Sequence, residues 1–145
     1  MTSHRRSFMT LACASLISLS LQTYAAEPKM VMASLDATQE VPPNDSSARA
    51  ELSGQFDPDT RTLTYRVSYT GLSGPVKMAH FHGPAPSGQN AGVALPFPPP
   101  LDSPIAGSAV LTPEQTQALL SGQWYINLHT AAHPTGEVRG QVMVH

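Results

Sequence analysis

An all-β fold, an antiparallel Greek-key-like β-sandwich or partly closed barrel with one short helix, is predicted by three features of this chain. From Lys29 onward apolar and polar residues alternate in short runs, the pattern of strands that turn one face to a core. Turn residues punctuate those runs: Gly and Pro supply 24 of 145 residues (10 Gly, 14 Pro), with Pro98, Pro99 and Pro100 in one row. Such proline density argues against a helical bundle, since each interior proline removes a helix hydrogen bond. The length suits one packed domain and is too short for two of ordinary size, so residues 26–145 are read as a single domain.

Residues 30–35 read as the first strand and 48–56 as the second. Asp57-Pro58-Asp59-Thr60 is then a turn, with proline presetting φ and aspartates able to bond nearby N–H groups. A third strand over 63–69 places Leu63, Tyr65, Val67 and Tyr69 on one face, and pairs with the second as a hairpin. Gly71-Leu72-Ser73-Gly74-Pro75 ends it, and 76–82 begins the next strand, followed by a long loop over 83–92. Strands over 93–97 and 105–111 flank the proline-rich stretch. Thr112 is an N-cap before Pro113, Gln115 completes a capping box, and Gly122 stops the one expected helix. The last two strands cover 124–130 and 137–144, making about eight in all.

The first 25 residues read as an export signal: a basic start at His4, Arg5 and Arg6, an apolar stretch over 11–21, and a small-residue cleavage site at Thr23-Tyr24-Ala25. Arg5-Arg6-Ser7-Phe8-Met9 resembles a twin-arginine signal, with the general secretory route as the alternative. The apolar stretch is too short and serine-rich to span a bilayer. Cys13, the one cysteine, lies inside it; cleavage just before it would give a lipoprotein, whereas cleavage after Ala25 leaves no thiol. The expected location is therefore exported, periplasmic or secreted, with no membrane span after signal removal. A net charge of −2, with no basic run interleaved with aromatics, excludes nucleic acid as a partner.

Several blocks in order resemble one family: Thr38-Gln39-Glu40-Val41-Pro42-Pro43, Gly71-Leu72-Ser73-Gly74-Pro75, Ala79-His80-Phe81-His82-Gly83-Pro84-Ala85, Leu119-Leu120-Ser121-Gly122, Trp124-Tyr125-Ile126-Asn127-Leu128-His129-Thr130 and Gly136-Glu137-Val138-Arg139-Gly140-Gln141. They are similar to the CHRD domain, named for its repeats in chordin and common as a lone exported bacterial domain. The resemblance runs from about Ala33 to Val144 and implies an all-β domain, without a generally established activity. Phe81 stands where the family often has an aliphatic residue. His133 lies in a loop where the family varies, so the resemblance assigns it no role.

The histidines are the one constellation that suggests chemistry. In a strand alternate side chains share a face, so Met78, His80 and His82 form one row, and Tyr125, Asn127 and His129 another. If those strands are neighbours, His80, His82 and His129 converge on one ion, with His133 and Met78 as further ligands. Neutral imidazole suits copper and zinc, and a thioether favours copper. The bland reading is that these histidines bond backbone groups at strand ends, in a polar network with Asn127 and Thr130. Met30 and Met32 share a face and read as core filler, and Met143 shares one with His145, a residue expected to fray. Glu137, Arg139 and Gln141 read as a surface ladder; the alternative has Arg139 pairing a buried carboxylate or orienting a histidine.

The leading expectation is an exported copper-binding domain. One alternative is a copper-dependent enzyme resembling superoxide dismutase, since a His-x-His strand is also found there. Another is a non-catalytic structural or protein-binding module acting through its loops. No carboxylate stands at general-base spacing beside the histidines, and neither a nucleophile motif nor a phosphate-cradling loop is present.

Overall fold

The computed structural model describes residues 24–145. The expected export segment, with Arg5, Arg6 and Cys13, lies outside them but for Tyr24 and Ala25. The strands are β1 (Lys29–Asp36), β2 (Arg49–Asp57), β3 (Thr62–Thr70), β4 (Met78–His82), β5 (Val93–Pro96), β6 (Ile105–Val110), β7 (Tyr125–His129), β8 (Val138–Gln141) and β9 (Met143–Val144). A short 3-10 turn, Ala37–Gln39, follows β1, and the one α-helix, α1, is Pro113–Leu120. No helix among the described residues is long and apolar enough to cross a membrane.

Local chemistry sets the turns where the sequence places them. Asp57 Oδ1 accepts from the N–H groups of Asp59 (2.9 Å) and Thr60 (3.3 Å), and Arg61 takes the left-handed φ of 55° that closes the β2–β3 hairpin. Thr112 Oγ1 accepts from Gln115 N (3.2 Å), while Gln115 Oε1 accepts from Thr112 N (2.9 Å), so the capping box starts α1 as read.

All nine strands join one antiparallel sheet in the order β5-β4-β7-β8-β1-β2-β3-β6, with β9 also paired to β1. The sheet curls until its far parts meet. Tyr65 of β3 stacks on Phe97, just past β5, at 4.4 Å and meets Phe81 of β4 edge-on at 5.6 Å. Of the two expected architectures this is the partly closed barrel, a half-barrel rather than two separate sheets. Its inner face holds Phe56, Leu63, Val67, Phe81, Trp124, Ile126 and Leu128, none more than 1% exposed, and their burial drives the curl.

The strand expected over 137–144 is broken at Val142. There the side chain turns into the core and the N–H donates to Trp124 O (2.9 Å). The break lets β8 pair with β7 while β9 pairs with β1.

Both faces of β7 are buried, which is unusual for a half-barrel wall. The inner face meets the core, and segments before β2 and before β5 close over the outer one. Asn44 donates to Glu137 O (3.1 Å), and Arg139 reaches Gln89 O (2.6 Å). Beneath them lies a second, polar layer of Glu40, Asn127, His129, Thr130, Glu137 and Arg139, each at most 6% exposed. The surface ladder expected of Glu137 and Arg139 is thus corrected: both are fully buried under these loops.

Candidate metal site

Strand β4 lies beside β7, the adjacency on which the histidine constellation depends. The antiparallel register sets Met78 against His129, His80 against Asn127 and His82 against Tyr125. Because all carry the same parity, their side chains share the outer face. One ring nitrogen from each of His80, His82 and His129 lies within 4.8 Å of the others, a group that can hold a metal ion.

Each ring is oriented by what its other nitrogen meets. His129 Nδ1 donates to Pro134 O (3.0 Å), which leaves Nε2 as a lone pair. His82 Nδ1 donates to Ala91 O (3.0 Å), and its Nε2 is buried with no hydrogen-bond partner. A backbone carbonyl holding the outer N–H of a ligating imidazole is the usual support of a metal-bound histidine. His80 Nδ1 stands 3.2 Å from His129 Nε2 and is its donor when it carries the proton. With that proton on the opposite nitrogen, the two atoms face each other as lone pairs, at the separation expected of two ligands each about 2.1 Å from one ion.

Burial keeps the rings of His80 and His129 neutral. His80 is pushed down to about 4 by burial first, and then by the neighbouring His129 and His82. His129 is also lowered, by burial first and by His82, against the opposing bond to Pro134. Neutral imidazoles are the form that binds metal.

Two residues absent from the expected site belong to its surroundings. Asn127 Oδ1 lies 2.9 Å from His129 Nε2, beside the group of three rings. The amide nitrogen of Asn127 donates to Glu40 Oε1 (3.4 Å), which fixes that orientation. Glu40 is pushed up to about 7 by burial, against the Asn127 bond and the Arg139 charge. The sequence signal for Glu40 was its place in the first family-like block, far from any histidine.

A stack of three side chains holds the covering loop. His82 lies flat on Tyr125 (ring centroids 4.7 Å apart, planes 1° apart), and the Arg139 guanidinium sits 3.5 Å from the Tyr125 centroid. Arg139 donates to Asn90 Oδ1 (2.9 Å) and Gln89 O (2.6 Å), and Tyr125 Oη bonds both the N–H and the carbonyl of Ala91 (3.1 and 3.2 Å). Arg139 therefore positions the loop whose Ala91 carbonyl orients His82.

Of the other expected ligands, Met78 stands opposite His129 on the same face and is 45% exposed. His133 is outside the group of three; its backbone exchanges hydrogen bonds with Thr130 in a turn.

The CHRD domain family model matches residues 31–142, most of the chain and all of the strands that build the site. The chain belongs to the CHRD domain family. No curated protein and no solved structure matches it. In this CHRD domain the blocks that carry the resemblance are also those that supply the site. Ala79–Ala85 gives His80 and His82, Trp124–Thr130 gives Tyr125, Asn127 and His129, and Gly136–Gln141 gives Arg139.

Proposed function

We propose that this CHRD domain is exported and binds a copper ion through His80, His82 and His129. The observation that carries the reading is the buried, unpartnered Nε2 of His82 beside two imidazoles that are kept neutral and in ligand contact. A buried polar atom without a partner costs about 1–3 kcal/mol, and a bound ion removes that cost. Copper is favoured over zinc because imidazoles and the thioether of Met78 occur on one face. Asn127 Oδ1 supplies a harder fourth donor suited to the divalent ion.

The role that follows is metal binding or handling outside the cytoplasm, with residues 1–25 as the export signal. A second reading, superoxide dismutase-like turnover, draws on the partial exposure of His80, which gives solvent a route to the ion.

The test is titration of the protein with Cu(II) and Zn(II) by calorimetry and electron paramagnetic resonance, beside a His80→Ala/His129→Ala double variant. One tightly bound Cu(II) per chain, lost in the variant, is the expected result. Binding that the variant leaves unchanged overturns the site and makes the histidines scaffold. Superoxide turnover by the copper-loaded protein, absent without copper, separates the enzyme from the binding protein.

A further inference from the structure

The four methionines among the described residues, Met30, Met32, Met78 and Met143, all stand outside the core. That distribution is unusual for a residue type that is most often buried. Met30 and Met143 are 54% and 51% exposed. The expectation that Met30 and Met32 fill the core is corrected: in β1 it is Val31, Ala33 and Leu35 that point inward, and the methionines take the outer parity.

Strand β9 brings the rest of the group to the same place. Met143 pairs with Met32, and the backbone of His145 exchanges both hydrogen bonds with Met30 (3.0 and 2.9 Å). His145 is therefore held in register rather than frayed. The four residues occupy the corners of a rectangle on the outer face, Met32 beside Met143 and Met30 beside His145. Strand spacing and rise set its edges at about 5 and 7 Å. Flexible thioether arms and one imidazole are long enough to meet above a rectangle of that size. On the other flank of β1 the outward neighbours are Gln55 and Ser53, polar residues of the kind expected at such positions.

We propose that Met30, Met32, Met143 and His145 form a second metal site, selective for a soft monovalent ion, Cu(I). Three thioethers with one imidazole make a soft donor set, and thioethers select Cu(I) over harder divalent ions. The site is distinct from the histidine cluster on β4 and β7, and does not depend on that cluster binding copper.

Ag(I), a redox-inert stand-in for Cu(I), is titrated into protein carrying labelled methionine methyl groups, with each signal assigned from its Met→Leu variant. Shifts of the Met30, Met32 and Met143 methyls at one equivalent, persisting in a His80→Ala/His129→Ala background, are expected. Anaerobic competition against a coloured Cu(I) chelator, in that same His80→Ala/His129→Ala background, then reads affinity, which falls at least 100-fold when Met30→Leu/Met32→Leu/Met143→Leu is added with circular dichroism unchanged. Leucine matches methionine in volume, so these exposed changes leave the fold intact. Methyl signals unmoved by Ag(I), or Cu(I) affinity within threefold of the His80→Ala/His129→Ala background when the three methionine changes are added to it, overturns the proposal. Cu(II) binding lost on His80→Ala/His129→Ala reads the histidine cluster, and Ag(I) and Cu(I) binding in that background read the methionine site, so the two sites fail independently.

Discussion

Replacing Glu137 by Gln removes a charge from a buried, heavily bonded carboxylate while keeping its shape. Glu137 is fully buried and accepts four hydrogen bonds. Its Oε2 takes the hydroxyls of Ser73 (2.6 Å) and Thr130 (2.6 Å), and its Oε1 takes the Ser46 hydroxyl (2.7 Å) and Ser73 N (2.9 Å). Those bonds tie the segment before β2 and the loop after β3 to the end of β7. Glutamine keeps one oxygen, so two bonds to a charged acceptor are lost, at about 1.5–3 kcal/mol each. Two hydroxyls can rotate to accept from the new amide, which leaves a loss of about 3 kcal/mol at pH 7. The pH dependence supplies a second check. Burial pushes the Glu137 carboxyl up, but the bonds from Ser73, Thr130 and Ser46 outweigh it and bring it down to about 2, from an ordinary 4.5. A lowered carboxyl stabilises fully above its unfolded value and loses that contribution as pH falls toward its folded one. Urea unfolding of wild type and Glu137→Gln is therefore expected to differ by about 3 kcal/mol at pH 7 and by about half that at pH 3. A variant within about 1 kcal/mol of wild type at pH 7 would refute the reasoning, as would a gap that fails to narrow at pH 3.

Three further outcomes follow from the metal site and its support. Because His80 is lowered to about 4 and His129 is lowered too, protons compete weakly for the ligands. Proton competition at His80 and His129 is expected to set in only as pH falls toward about 4, where Cu(II) affinity collapses, read by titration at fixed ionic strength. The same depressed values make metal-free stability complete above the ordinary histidine range and progressively lost as pH falls through about 4, which thermal unfolding without metal measures. Arg139→Met removes both donors to the loop at Gln89 and Asn90. It is expected to speed amide exchange over residues 89–91 at least tenfold and to weaken Cu(II) binding about 10–100-fold, the usual effect of losing an outer support. Unchanged exchange would show that Arg139 does not hold the loop.

Much of the fold was legible in local patterns. The β2–β3 hairpin follows from alternation in residues 63–69 and the Asp57 turn, and α1 from Thr112, Pro113 and Gln115, because such features act over a few residues. The parity of His80, His82 and His129 was equally readable, since side chains in a strand alternate whatever lies beyond. Other features depended on which segments pack together. The pairing of β4 with β7 joins segments distant in sequence, and nothing in either one names its partner. The buried state of Glu137 and Arg139 was missed because alternation marks the face opposite the core, and only the covering loops decide whether that face meets water.

By itself, then, the sequence determined most of the strands, the one helix, the family and which histidines could share a face, for all of these rest on short-range periodicity, capping and motif order. The tertiary structure decided that the sheet curls into a half-barrel and that β4 lies against β7. It decided too that loops bury a polar layer with Glu40 and Asn127 beside the histidines, and that β9 sets Met143 and His145 against Met32 and Met30. These are long-range outcomes of burying one shared core, and their free energy belongs to the whole sheet rather than to any single segment.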